Sequence, residues 1–289
     1  MKKLLFVAAI FASTLAFGQN AGTSGNAKSL LWKISGNGLT APSYLYGTIH
    51  ITCDATLEKP TLDAIANTAQ LYLELDMDDP QMQMTMVQGM MMKEGKTMKT
   101  MMSDADYKMV DAYFTQTLGM GLAALDKMKP FMLTTLVLPS MLDCPMQSVE
   151  QELMRVNASQ NKEVLGLETV QEQLAVFDAI PYDVQLAELI KSVRNNFAND
   201  KAELVKMYAV YQSKDIDAMQ LMTAESENKI TADYQDELLN DRNANWIPKI
   251  EQIAKQKPTF FGVGAGHLGG GKGVIALLRK KGYTVEPVN

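Results

Sequence analysis

Leu71, Leu73 and Leu75 alternate with Tyr72, Glu74 and Asp76, the two-residue period of a strand with one face turned to a core. Further apolar runs read as strands at Ser29 to Ile34, Ser43 to Ile51, Glu163 to Leu167, Thr259 to Val263 and Tyr283 to Val288. Between the first two of these, Ser35-Gly36-Asn37-Gly38 has the chemistry of a turn. Thr61 to Thr68 suits a short helix. From Asp79 to about Arg155 the apolar spacing is helical, and Thr169 to about Trp246 forms a second, longer helical stretch broken near Pro181. Near the end, Gly264-Ala265-Gly266-His267 makes a glycine-rich turn into a helix that runs to Lys281. Strands at both ends with helices between and after them predict an α/β fold. Its centre is a mixed sheet flanked by helices, with a long helical insertion at about 79–155.

The chain has 289 residues, 47% hydrophobic and 21% charged, which places it among folded globular chains. A net charge of −6 argues against nucleic acid, which demands a basic face. Lys2 and Lys3 precede an uncharged stretch from Leu4 to Phe17, closing on Ala16-Phe17-Gly18. That pattern is a secretory signal peptide over residues 1–18. Its 14 uncharged residues are too few to span a bilayer, which takes roughly 20. A Gly/Ser/Asn linker, Gln19 to Lys28, leads to one domain at 29–289. No later apolar run is long enough for stable membrane insertion, so the mature chain is expected to be exported, periplasmic or secreted. Its only two cysteines, Cys53 and Cys144, are expected to pair in an oxidising compartment.

The two histidines carry the sharpest chemical signal. His50 ends Gly47-Thr48-Ile49-His50 and His267 ends Gly264-Ala265-Gly266-His267, each G-x-x-H at the carboxyl end of a strand. Ligand crevices of α/β sheets open at those ends, and glycine ahead of the histidine permits close backbone approach. Glu74 and Glu168 also stand at strand ends. Two imidazoles with one or two carboxylates make an N/O set for a divalent metal such as Zn, Mn or Co, although Glu168 could equally serve only to cap the next helix. Gly264 to Gly269 also spells G-x-G-x-x-G, and Gly266 to Lys272 spells G-x-x-x-x-G-K. The first lacks room for the remaining strands after it, and the second has Gly273 where a magnesium-binding hydroxyl belongs. Of 21 methionines, 17 fall between Met77 and Met154. Their helical spacing points to adaptable packing or a groove for varied apolar partners rather than to copper.

Taken together, these blocks resemble the TraB/GumN family of Tiki-like proteins, within the erythromycin-esterase-like superfamily. The resemblance rests on Leu30-Leu31-Trp32-Lys33-Ile34, Pro42 to His50, Glu74, Gly166-Leu167-Glu168-Thr169, Arg242-Asn243 with Trp246, and Gly264 to Leu268. It implies a metal-dependent, peptidase-like hydrolase acting on a peptide or secreted protein. In that expectation His50, Glu74 and His267 hold the metal, Glu168 is a further ligand or base, and Arg242 and Asn243 steady the substrate carbonyl. The alternative is a protein that binds and sequesters peptides without cleaving them, its groove roofed near His50 and His267 by methionines.

Overall fold

The computed structural model describes residues 28–289, so the signal peptide and nearly all of the linker lie outside the described residues. Six strands form, one at each predicted run. β1 (Leu31–Gly36) turns through Gly36, Asn37 and Gly38, all at positive φ, and returns antiparallel as β2 (Ser43–Thr48). Glycine and asparagine are the residues that enter the left-handed region with least strain. β3 (Gln70–Leu73), β4 (Val164–Gly166) and β5 (Thr259–Gly264) join in parallel, and β6 (Tyr283–Val288) closes antiparallel on β1. The spatial order is β4-β3-β5-β2-β1-β6. Four neighbouring strands therefore run the same way, and their carboxyl ends share one edge of the sheet.

Helices supply the cover that a parallel sheet requires. Val149–Ser159, Asp241–Gln256 and Val274–Lys280 pack Leu153, Trp246, Ile250 and Leu278 onto Phe260, Phe261 and Val263. The methionine-rich region behaves differently. Its helices Asp104–Leu118 and Pro130–Val137 bury Val110, Phe114, Leu133 and Val137 in a second core, which Met92, Met98 and Met141 join from neighbouring segments. Leu186, Leu189 and Val193, from the helix Tyr182–Arg194, complete that core. Met207 packs against both cores. Lys129, itself buried, pairs with Asp178 at 2.6 Å and ties this layer to the helix Val170–Ala179. Among the described residues no helix is long and apolar enough to cross a membrane.

The second helical stretch breaks at Pro181, as its fixed φ and missing N–H dictate. It breaks again where Asn196, Phe197 and Lys214 adopt φ of 54, 56 and 56°. Phe197 is held in that costly backbone state by burial of its ring, stacked at 5.1 Å on Tyr113.

Cys53 and Cys144 form the expected disulfide, their Cα atoms 5.7 Å apart. The bridge staples the loop after β2 to the segment before Val149–Ser159. Beside it, Thr52 and Gln147 exchange backbone hydrogen bonds of 3.0 and 2.8 Å. Cross-linking residues 91 apart removes denatured-state freedom worth on the order of 4 kcal/mol. The paired substitutions Cys53→Ser and Cys144→Ser are expected to lower unfolding free energy by about that amount in guanidinium titration, with native circular dichroism retained in its absence.

Candidate functional site

Each of the four parallel strands delivers one candidate side chain just beyond its carboxyl end. Glu168 stands two residues past β4, Glu74 one past β3, His267 three past β5 and His50 two past β2. Neighbouring parallel strands finish on the same side, so the four groups gather where an α/β crevice belongs. The motif glycines act through close approach. A Cβ on Gly47 would lie 2.8 Å from Leu268 and 3.0 Å from Ala265, so any side chain there would push β2 off the His267 turn. On Gly264 it would lie 3.2 Å from Glu74 Oε1, the oxygen that accepts the Gly264 N–H at 2.8 Å.

Arg242 joins the cluster from the helix Asp241–Gln256, which follows a π turn over Asp236–Asn240. Such turns shift helix register and recur at functional sites. Its Nη2 donates to Glu74 Oε2 and Glu168 Oε1, each at 2.5 Å, and Nη1 donates to Leu238 O at 3.0 Å. One turn on, Trp246 lies 4.8 Å beneath the guanidinium and donates its Nε1–H to Glu168 Oε2 at 3.1 Å. Gln173, from Val170–Ala179, donates to both carboxylates at 3.2 and 3.3 Å. Both Glu168 oxygens are thus engaged by donors. Burial pushes the Glu74 carboxyl up, but the neighbouring His267 foremost, then Arg242 and His50, and the Gly264 N–H hold it down to about 2.

The two histidines meet opposite surroundings. His267 is buried, and desolvation drives its imidazole down to about 3. The neutral ring donates from Nδ1 to Asn243 Oδ1 at 2.6 Å, leaving Nε2 to accept from Arg242 Nη1 at 3.1 Å. Asn243, buried and donating to Lys272 O at 3.0 Å, therefore orients His267. Its amide oxygen is turned to the buried ring and its nitrogen to Lys272 O, so the group faces the protein interior and not the open space that a carbonyl-steadying role required. His50 keeps a ring 69% exposed, with Nδ1 2.8 Å from Glu150 Oε1. Desolvation by the surrounding protein lowers its pKa, yet the bond to Glu150 and its charge outweigh this and bring it up to about 9. Glu150 escaped the sequence reading because a first-turn acid is an ordinary helix start.

A cleft of about 490 Å³ opens beside Glu168, lined by Asp76, Asp79, Met82, Glu172 and Lys249. A second groove, about 310 Å³, reaches Glu168 and Arg242 past Ala175, Val176 and Trp246. Met82 is the methionine that the first of these meets, while Met92, Met98 and Met141 lie in the second core.

As donors, His50, Glu74 and His267 suit a borderline divalent metal. Each imidazole has Nδ1 facing an outer oxygen, Asn243 Oδ1 behind His267 and Glu150 Oε1 behind His50, the way metal-ligating histidines are held. Among the described residues, however, no three His, Cys, Asp or Glu side chains are grouped around one cation position. The cation that Glu74 and His267 face here is Arg242.

The model of the TraB/PrgY/gumN family matches residues 30–287, nearly the entire described chain. The chain belongs to this family. Two animal relatives of this TraB/PrgY/gumN chain are a "Metalloprotease TIKI homolog" of Nematostella vectensis and "Metalloprotease TIKI2" of Danio rerio. The first is 21% identical and the second 22%, covering 91% and 89% of this chain. The chain spans 68% and 60% of their respective lengths. No solved structure matches it.

Removing Arg242 strands two buried carboxylates, an error that typically costs about 3–5 kcal/mol. Arg242→Ala is therefore expected to lose stability of that order in denaturant titration, and Arg242→Ala combined with Glu168→Gln to recover part of it. The pH dependence follows from Glu74. Its folded pKa lies below the unfolded one, so its stabilisation is complete above about 4.5 and is lost as pH falls toward 2. Thermal scans should show Glu74→Gln with a shallower decline than the wild type across that window.

Proposed function

We propose that this chain is a metal-dependent, peptidase-like hydrolase that works outside the cytoplasm on a peptide or secreted protein. One observation carries the reading. Both G-x-x-H imidazoles stand at adjacent parallel strand ends with Nδ1 facing an oxygen behind the ring, and an ionised, buried carboxylate lies on the neighbouring strand. The metalloprotease names of the relatives support it, as does the disulfide, which fits export.

His50, His267 and Glu74 would hold the ion. A divalent metal there would polarise the scissile carbonyl and lower the pKa of a water. The remaining roles follow from the chain's own contacts. Asn243 fixes the His267 tautomer so that Nε2 keeps its lone pair. Glu168, with both oxygens taken by Arg242, Trp246 and Gln173, anchors the guanidinium instead of accepting a proton. Arg242 competes with a metal for His267 Nε2. Anchored on Glu168, its Nη1 is the donor best placed to meet negative charge developing on a substrate oxygen. The two grooves that reach Glu168 offer an extended chain a path across the site.

The engagement of Glu74 and His267 by Arg242 favours a second reading, in which the same grooves bind peptides without turnover. Elemental analysis of tag-free protein, followed by mass spectrometry of an incubated peptide pool, separates the two. The hydrolase reading expects stoichiometric divalent metal, lost in His50→Ala and in His267→Ala, and cleavage abolished by chelator. Metal-free protein that retains uncut peptides would establish the sequestering protein instead.

A further inference from the structure

Glu150 is an anomaly of placement. A first-turn acid satisfies the positive end of its helix just as well from the surface, and burying a carboxylate carries a desolvation cost. Yet Glu150 is only 3% exposed, at the start of Val149–Ser159. Its Oε2 accepts the Ser148 hydroxyl at 2.7 Å, which leaves Oε1 turned to His50 Nδ1 at 2.8 Å. The backbone on both sides of this pair is pinned. Val149 N–H donates to Ile49 O at 3.2 Å, Thr52 and Gln147 pair in both directions, and Cys53 is bonded to Cys144. Gln147 adds its side chain, donating to Cys53 O at 3.0 Å and accepting from Ala55 N–H at 3.1 Å. The segment that carries His50 and the segment that carries Glu150 are thus clamped together on either side of the contact. His50 itself is an exposed ring on a loop, which without such a partner would be free to rotate.

We propose that Glu150 is a positioning residue that holds the His50 ring with its proton on Nδ1 and presents Nε2 to the site. The proposal rests on the reading that His50 works through Nε2, but its structural core is independent of whether any peptide is cut. In water a neutral imidazole side chain carries its proton mainly on Nε2, so the tautomer is a signature that a residue present only for packing would not set.

The test uses tag-free, metal-free protein labelled with ¹⁵N in the histidine rings. With two histidines in the sequence, His50→Ala assigns both spectra. At alkaline pH, where His50 is neutral, the wild type is expected to show the Nδ1–H form. Glu150→Ala should shift His50 mainly to Nε2–H. Glu150→Gln, whose amide oxygen still accepts from Nδ1–H, should retain the wild-type form. If the hydrolase reading holds, peptide turnover in Glu150→Ala should fall roughly ten- to hundredfold in kcat with KM little changed, with partial rescue in Glu150→Gln. A wild-type ring carrying its proton on Nε2 would overturn the proposal, as would a folded Glu150→Ala that keeps Nδ1–H. Should Glu150→Ala not fold, the wild-type and Gln spectra still decide. Absence of peptide cleavage with the expected tautomers would remove the hydrolase reading and leave the positioning role established.

Discussion

A single guanidinium bridges two buried carboxylates at neighbouring strand ends. Glu74 and Glu168 close β3 and β4 side by side, and without a cation between them two buried carboxyl groups would be left without their shared donor. Arg242 meets both at 2.5 Å, and the helix that carries it must therefore lie over that end of the sheet. Much else follows from this placement. Trp246 is drawn under the guanidinium, Asn243 falls behind His267, and Gln173 closes the remaining side from another helix.

The same cluster explains why two chemically identical motifs produce unlike histidines. His267 enters a dry pocket already occupied by positive charge, and so it is neutral. His50 leaves the sheet at its neighbour's edge, where the ring is open to water but backed by a buried acid. One fold thus holds a pair of imidazoles in opposite protonation states at adjacent strand ends.

Much of the fold was legible because period-two apolar runs and glycine turns are local signals. All six strands, the β1–β2 turn and the break at Pro181 follow from them. The breaks at Phe197 and Lys214 had no local mark, since neither is glycine or proline and tertiary packing holds the strained backbone. Of the site, His50, His267, Glu74 and Glu168 could be read because each follows a strand. The attachment of Arg242 and Asn243 could be read only as a resemblance, for nothing in a polar helix announces which residue it will face. Glu150 was illegible for a different reason: its partner lies 100 residues away in sequence, and only the folded chain places Thr52 against Gln147.

The separation of the two hydrophobic cores has a consequence for how this sequence can diverge. Met207 packs against both, while the sheet core alone carries the strands whose ends bear the site. Exchanges among Met92, Met98, Met141 and their neighbours therefore leave Gly47, Gly264 and the Arg242 helix undisturbed, as long as the layer still fills its own volume. Thioethers adapt readily to such exchanges. The methionine-rich layer is the part of this protein in which substitutions can accumulate fastest without passing through the chemistry at the sheet edge.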